Sequence, residues 1–227
     1  MLVKYDKLPK ELQNKKVREY YDILKKKKIY LCIKRLFDIV ASFILLVLLS
    51  PAFLVLAIMI KIDSKGPVFY RQERITKYGK TFRIFKFRTM VVNADKIGSL
   101  VTQNNDSRIT KVGKKIRNSR LDEIPQLINV LVGDMSFVGT RPEVKKYVDK
   151  YTDEMKATLL MSAGVTSKAS INYRDEASIM DKYMNSKMGV DEIYVKKILP
   201  EKMSYNLEYL KKCSIIEDIK LCIKTIV

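Results

Sequence analysis

The sequence has no histidine among its 227 residues. That excludes histidine-based triads, imidazole proton shuttles and His-ligated metal centres. Any acid, base or nucleophile must be a carboxylate, lysine, tyrosine or thiol. Cysteine is scarce too. Cys32, Cys213 and Cys222 form no CxxC pair, and an odd count suits a reducing compartment better than a disulfide scaffold. Acidic residues are outnumbered, 25 against 44 Lys and Arg, for a formal net charge of +19. Such an excess suits nucleic acid, an anionic membrane face or a substrate carrying several phosphates.

Long apolar runs are also few. The one present covers residues 36–60, preceded by Lys25-Lys26-Lys27-Lys28 and by Lys34 and Arg35. It starts late and has no small-residue cleavage site, which argues against a cleaved signal peptide. Its length alone fits a transmembrane anchor. Two features argue for a bend instead. Ser50-Pro51 sits mid-run, where proline removes a backbone hydrogen bond, and each half is then too short to cross a bilayer. Both flanks are basic: Lys61, Lys65, Arg71, Arg74, Lys77 and Lys80 follow the run, so charge places both ends on the cytoplasmic side. A helix that enters and leaves by one face satisfies both. Asp38, costly in hydrocarbon, should lie at the interface or pair with a neighbour such as Arg35.

The chemistry concentrates between Arg117 and Pro142, around the adjacent pair Asp122 and Glu123. Ser119 is a candidate helix cap and Pro125 belongs in a first turn, so the pair is expected at or just before a helix N-terminus. There the helix field favours ionised carboxylates, and exposed N–H groups favour phosphate. Arg117, Arg120 and Arg141 add cations suited to phosphate oxygens. A carboxylate beside phosphate needs arginines or a divalent cation between them, and Mg²⁺ on oxygen ligands is the simplest solution. On the pair alone, an acidic first turn with surface arginines is the commoner explanation.

Around these residues, short strands are expected at 68–72 and 81–86, flanking a Tyr78-Gly79 turn. Lys86 and Arg88 are two residues apart and would share one strand face, suited to an anion. Residues 111–118 read as a short helix with Lys111, Lys114 and Lys115 on one face. From Glu143, helical spacing recurs through Val144, Tyr147, Val148, Tyr151, Met155 and Leu159. Ile215, Ile219, Cys222, Ile223 and Ile226 form an apolar stripe near the C-terminus, where Asp218 reads on pattern alone as solvent-facing.

Four motifs occur in one order: Phe85-Lys86-Phe87-Arg88-Thr89-Met90, Asp106-Ser107-Arg108-Ile109-Thr110, Leu121-Asp122-Glu123-Ile124-Pro125-Gln126 and Gly133 through Pro142. Together they resemble the bacterial sugar transferases of the small monotopic phosphoglycosyl transferase family, strongly over residues 33–143 and weakly elsewhere. The resemblance implies transfer of a sugar 1-phosphate from a UDP-sugar to polyprenyl (undecaprenyl) phosphate, with release of UMP and initiation of surface glycan assembly. It implies Asp122 as a nucleophile that forms a phosphosugar acyl phosphate, and Glu123 as its orienting or proton-handling partner. Mg²⁺, with Asp122 as ligand, would screen the charge, and Arg117 and Arg141 would hold phosphate oxygens. Asp218 matches an acidic residue that the family keeps near its C-terminus, and Ser50-Pro51 matches its re-entrant helix break. Membrane lipid is the implied surroundings, the cytoplasmic face of a bacterial inner membrane the location, and downstream glycosyltransferases are further partners. Departures are Thr76 for a glycine, Thr140 for a proline, and 161–167, which lacks the proline and second glycine of a Pro-Gly-Ile-Thr-Gly turn.

The expected fold is α+β and mostly helical. It comprises a basic N-terminal extension (1–33), a re-entrant membrane helix (34–62), a catalytic core with a short β-hairpin (63–143), and a C-terminal helical part with amphipathic interfacial helices that completes the site (144–227). Residues 172–176 are candidates for shaping the sugar pocket. The rivals are a membrane-tethered nucleic-acid-binding protein, for which no base-reading motif is visible, and a non-catalytic scaffold.

Overall fold

The computed structural model describes residues 2–94, 106–174, 179, 183 and 189–226. Helix α1 (Lys15–Lys26) is capped by Asn14, whose side chain accepts from the Val17 N–H. It buries Val17, Tyr20, Tyr21 and Leu24. These pack with Tyr147, Leu160, Met203, Tyr209 and Leu210 from the C-terminal half. Residues 2–27 are therefore part of the main core. The lysine run is partly committed as well, since the Lys27 Nζ donates to the carbonyls of Lys211 and Cys213 at 2.9 and 2.8 Å.

Helix α2 (Lys28–Leu48) and helix α3 (Ser50–Asp63) carry the apolar run and meet at a bend of 61°. The cause of the bend is local. Pro51 cannot donate to the carbonyl of Val47, and the Ser50 hydroxyl takes that carbonyl at 2.8 Å instead. Among the described residues no single helix is long and apolar enough to cross a membrane, but the bent pair passes on length and composition together. Its outward surface is greasy: Leu36, Phe43, Val47, Leu48 and Leu54 are all more than half exposed.

The base of this pair is fixed by polar contacts. Asp38 is buried and accepts the Phe137 N–H at 3.0 Å. Arg35 is not its partner. The Arg35 guanidinium instead caps a later helix, Gln126–Val132, by donating to the carbonyls of Val130 and Leu131 at 2.6 and 2.8 Å. A cation at a helix C-terminus meets both unpaired carbonyls and the negative end of the helix field.

Strands β1 (Phe69–Ile75) and β2 (Thr81–Phe87) form the expected hairpin, paired from Phe69↔Phe87 to Ile75↔Thr81. Gly79 has φ +77 in its turn. The glycine-to-threonine departure at position 76 has a structural use. The buried Thr76 hydroxyl donates to the Asp134 carbonyl (2.6 Å) and accepts the Ala163 N–H (3.1 Å), tying the hairpin to the rest of the domain.

Helix α4 (Lys111–Asn118) starts at the Thr110 cap. Its Val112 N–H is bound by Asp63 from the end of α3. Leu56, Ile60, Phe87 and Ile116 form a small core joining α3, β2 and α4. Helix α5 (Gln126–Val132) ends at Gly133, φ +96. A second pairing, not anticipated from sequence, joins β3 (Met135–Val138) to β4 (Ala163–Thr166) in parallel. Gly139 and Gly164 face each other there: a Cβ on Gly164 would lie 2.2 Å from the Gly139 nitrogen, so only glycines allow the approach.

The continuous helix expected from Glu143 is absent. A short helix, α6 (Lys145–Val148), and a 3-10 segment (Met155–Leu160) stand in its place. The Thr152 hydroxyl accepts the Met155 N–H to start the second segment. The chain then forms α7 (Lys168–Asn172), α8 (Val190–Ile193), a π-helical turn (Tyr194–Ile198), α9 (Leu199–Lys212) and α10 (Ile215–Ile226).

Candidate active site

Asp122 and Glu123 lie in a 3-10 turn (Leu121–Glu123) between α4 and α5. Arg120 enters the turn with φ +54, a left-handed conformation that is uncommon outside glycine and reverses the chain sharply after α4. Ser119 does not cap the following helix. It ends α4, its hydroxyl donating to the Lys115 carbonyl at 2.9 Å. Several backbone N–H groups at this helix start are already used. Those of Glu123, Ile124, Leu127 and Ile128 all bind carbonyls within the turn, and Pro125 has none. Helix α5 is seven residues long, so side-chain cations dominate the local field.

These cations are well placed. The Lys86 Nζ donates to Glu123 Oε1 at 2.7 Å. A cleft of about 270 Å³ is lined by Lys86, Arg117, Arg120, Arg141, Asp122 and Glu123, with Ser170, Tyr173 and Arg174 on its far side. A second, about 430 Å³, lies toward the hairpin and has Tyr70, Lys86, Arg88, Arg117 and Asp122 in its walls. The dyad stands between the two. Arg141 comes from the loop after β3 and donates to the Ser170 Oγ at 3.1 Å. The proline replaced by Thr140 is compensated there: the Thr140 carbonyl accepts the Gly164 N–H at 2.8 Å and its hydroxyl donates to Thr158.

The two carboxyls differ electrostatically. Burial raises the Glu123 pKa, but Lys86, Arg141 and Arg120 outweigh it and hold the group at about 2. Asp122 goes the other way: burial pushes it up, Glu123 adds to the rise, and Lys86 and Arg117 only partly oppose them. One carboxylate is thus a fixed anion, and the other is the more basic oxygen beside it.

Two further residues hold this arrangement and were not singled out from sequence. Asn129, buried on α5, accepts the Phe85 N–H (2.8 Å) and donates to the Arg83 carbonyl (3.0 Å). It fixes the dyad's helix to the strand carrying Lys86. Its signal was one amide in the apolar stretch Leu127–Val132. Glu143, two residues after Arg141, is buried with Lys202 at 3.1 Å, and the Tyr194 hydroxyl donates to it at 2.8 Å. This anchors the Arg141 loop to the C-terminal helices, and no sequence pattern announced it.

Two expected site residues are placed elsewhere or occupied otherwise. Arg88 reaches the wall of the larger cleft, but its terminal nitrogens donate to the carbonyls of Lys65 and Ser64, both at 2.7 Å, closing the end of α3. Lys86 lines the same cleft, with β2 ending at Phe87 between them. Asp218 lines neither dyad cleft. It is not solvent-facing either: it accepts from Lys34 Nζ (2.7 Å) and from the hydroxyls of Tyr30 (2.9 Å) and Tyr209 (2.6 Å), latching α10 to the base of α2. Of the segment proposed to shape a sugar pocket, Tyr173 and Arg174 border the smaller cleft, while Asp175 and Glu176 fall outside the described residues. No group of three or more Cys, Asp or Glu among the described residues forms a metal cage.

The sequence pattern of the bacterial sugar transferase family matches residues 29–227, and the chain belongs to that family. Among curated proteins it is 36% identical over 201 residues to the UDP-N-acetylgalactosamine-undecaprenyl-phosphate N-acetylgalactosaminephosphotransferase of Aeromonas hydrophila, covering 87% of this chain and 44% of the relative. It is 37% identical over 199 residues to the UDP-glucose:undecaprenyl-phosphate glucose-1-phosphate transferase of Klebsiella pneumoniae, covering 85% and 39%. A Caulobacter vibrioides protein of the same name is 32% identical over 196 residues, covering 85% and 68%. The chain thus spans about two fifths of the length of the first two relatives.

Proposed function

We propose that this chain transfers a sugar 1-phosphate from a UDP-sugar to undecaprenyl phosphate or a similar polyprenyl phosphate, releasing UMP. The carrying observation is an adjacent carboxylate pair lining clefts with Lys86, Arg117, Arg120 and Arg141, in a chain that also carries a bent apolar helix pair. A sugar diphosphate supplies the anion that the cations require. A polyprenyl tail suits the greasy helices. The activities in the relatives' names, sugar-phosphate transfer to undecaprenyl phosphate, support the same reading.

In the first step an Asp122 carboxylate oxygen bonds to the β-phosphorus. The bond from that phosphorus to the bridging oxygen breaks, and UMP leaves with the electron pair. In the second, an oxygen of the polyprenyl phosphate bonds to the same phosphorus and the acyl-phosphate bond breaks, restoring the carboxylate. Splitting one transfer in two in this way is the usual benefit of a covalent nucleophile. Burial makes Asp122 the more basic of the two carboxylates, hence the better nucleophile once ionised. Glu123, held anionic by Lys86, keeps that lysine in place beside it. Arg117 and Arg141 stabilise the charge that builds on phosphate oxygens.

Mg²⁺ fits the donor set, with Asp122 as one carboxylate ligand and phosphate oxygens and water as the rest. When bound it neutralises charge on the diphosphate. The bent pair is read as re-entrant, with basic flanks on both sides holding the domain on the cytoplasmic face of a bacterial inner membrane. There the reaction would be the first step of a surface glycan. The test is UMP release from a panel of UDP-sugars by membrane-embedded protein with undecaprenyl phosphate. Release with one or more sugars supports the reading, and none with any sugar removes it.

A further inference from the structure

A cavity of about 240 Å³ lies apart from the dyad and shares no lining residue with its two clefts. The base of α2 supplies Lys34, Arg35 and Asp38 to one wall. Lys77 enters from the hairpin turn, Ser136 from β3 and Ser162 from the chain before β4. The fold leaves donors here in hand. Lys34 Nζ makes one hydrogen bond, to Asp218, of the three an ammonium can donate. Arg35 uses two of its five on the carbonyls that end α5. Ser136 is 3% exposed, and its Oγ has no hydrogen-bond partner although Asp38 is close by. A buried hydroxyl left so costs free energy, which favours an acceptor reaching it from the cavity. Charge agrees. Lys34, Arg35 and Lys77 face Asp38, with Asp218 behind Lys34, so one positive charge is in excess. Burial also lowers the Lys77 pKa, a cost that a nearby anion offsets. The location selects the anion. Lys34 and Arg35 immediately precede Leu36 and Phe37, both more than half exposed, so the cavity sits where α2 passes from its polar base to its greasy surface. Basic pockets beside membrane helices on the cytoplasmic side suit anionic lipid headgroups.

We infer that this cavity is a site for the phosphodiester of an anionic phospholipid, held by Lys34, Arg35, Lys77 and the Ser136 hydroxyl, with the acyl chains against Leu36 and Phe37. A phosphodiester carries a single negative charge and matches the excess. Bound there, it ties the base of α2 to the hairpin turn and to β3. The inference rests on the reading of α2 and α3 as membrane-embedded and goes beyond it by giving one charge class of lipid its own seat, away from the reacting carboxylates.

Two measurements test it. Dihexanoyl phosphatidylglycerol, the matching phosphatidylcholine and inorganic phosphate are titrated against the protein in neutral detergent. Saturable binding of phosphatidylglycerol, about tenfold or more tighter than either of the others, supports the site. Lys77→Gln should weaken it about tenfold, whereas Lys111→Gln, on the exposed face of α4, should change it less than about twofold. Equal binding of phosphatidylcholine or of inorganic phosphate overturns the lipid assignment. Equal losses at Lys77 and Lys111 mean a diffuse basic surface and overturn the site. Because the Lys77 variant could lose its fold, wild-type protein is also irradiated with phosphatidylglycerol that carries a photoreactive headgroup. Labelling of peptides containing Lys77 or Ser162 supports the cavity, and labelling confined to the outer faces of α2 and α3 refutes it. Neither experiment needs turnover or a bilayer, so both judge the cavity even if the transfer reaction or the membrane reading fails; flotation with vesicles judges the latter.

Discussion

Replacing Lys86 by methionine should separate the two carboxylates' roles. Lys86 bonds Glu123 at 2.7 Å and is also the leading cation opposing the rise in the Asp122 pKa. Two unit charges about 4 Å apart at an effective dielectric near 20 interact by about 4 kcal/mol. The lysine and Glu123 side chains are 26% and 32% exposed, so solvent screening reduces this substantially. Removing the leading opposing cation should raise the Asp122 pKa further. The active form is the ionised one, so kcat/KM for UMP release falls as pH drops through that pKa. In wild type this acid limb should lie above the ordinary aspartate range, because burial and Glu123 raise the group. In Lys86→Met the limb should move to higher pH, and the plateau should drop about 10²-fold through loss of a phosphate contact. Lys86→Arg should restore the limb's position. A plateau loss with an unmoved limb would mean that Lys86 binds substrate without setting the carboxylate's ionisation.

Arg88→Ala should act mainly on stability. It removes charged hydrogen bonds to the carbonyls at the end of α3, worth about 1.5–3 kcal/mol each, so thermal unfolding should shift more than kcat; a 10²-fold loss of kcat with unchanged unfolding would return Arg88 to the active site. Asn129→Leu keeps the volume but severs the tie between α5 and β2. It should cost activity about tenfold or more through the displaced dyad, with the fold retained by circular dichroism, and wild-type kcat would refute the positioning role. Pro51→Ala should restore the bond to the Val47 carbonyl and straighten the helix pair. Cysteine labelling would then reach the N-terminus from outside in part of the population, and an unchanged pattern would show that the bend does not depend on proline.

The hairpin, α4, the broken apolar run and the basic surroundings of the dyad were legible because each has a local signature: alternation, helical spacing, Ser50-Pro51, and arginines close in sequence. The less legible parts depend on distant partners. Arg35 and Asp38 are neighbours in sequence, yet one caps α5 and the other holds Phe137. The parallel β3–β4 pair joins two four-residue strands separated by more than 20 residues, and its clearest trace is the Gly139–Gly164 approach. Asp218 looked solvent-facing because its partners, Tyr30, Lys34 and Tyr209, lie on two other helices. The single helix read into residues 143–159 failed because the apolar spacing faces one core from two separate segments.

The central claim is that Asp122 is the nucleophile, and a trapped intermediate tests it most directly. Protein incubated with its UDP-sugar and Mg²⁺, without polyprenyl phosphate, should release about one equivalent of UMP and stop. Its mass should rise by one sugar phosphate on a peptide containing Asp122, and Asp122→Asn should abolish both the burst and the adduct. UMP release that strictly requires the acceptor, with no mass change in any variant, would contradict the account and indicate direct transfer between the two bound substrates.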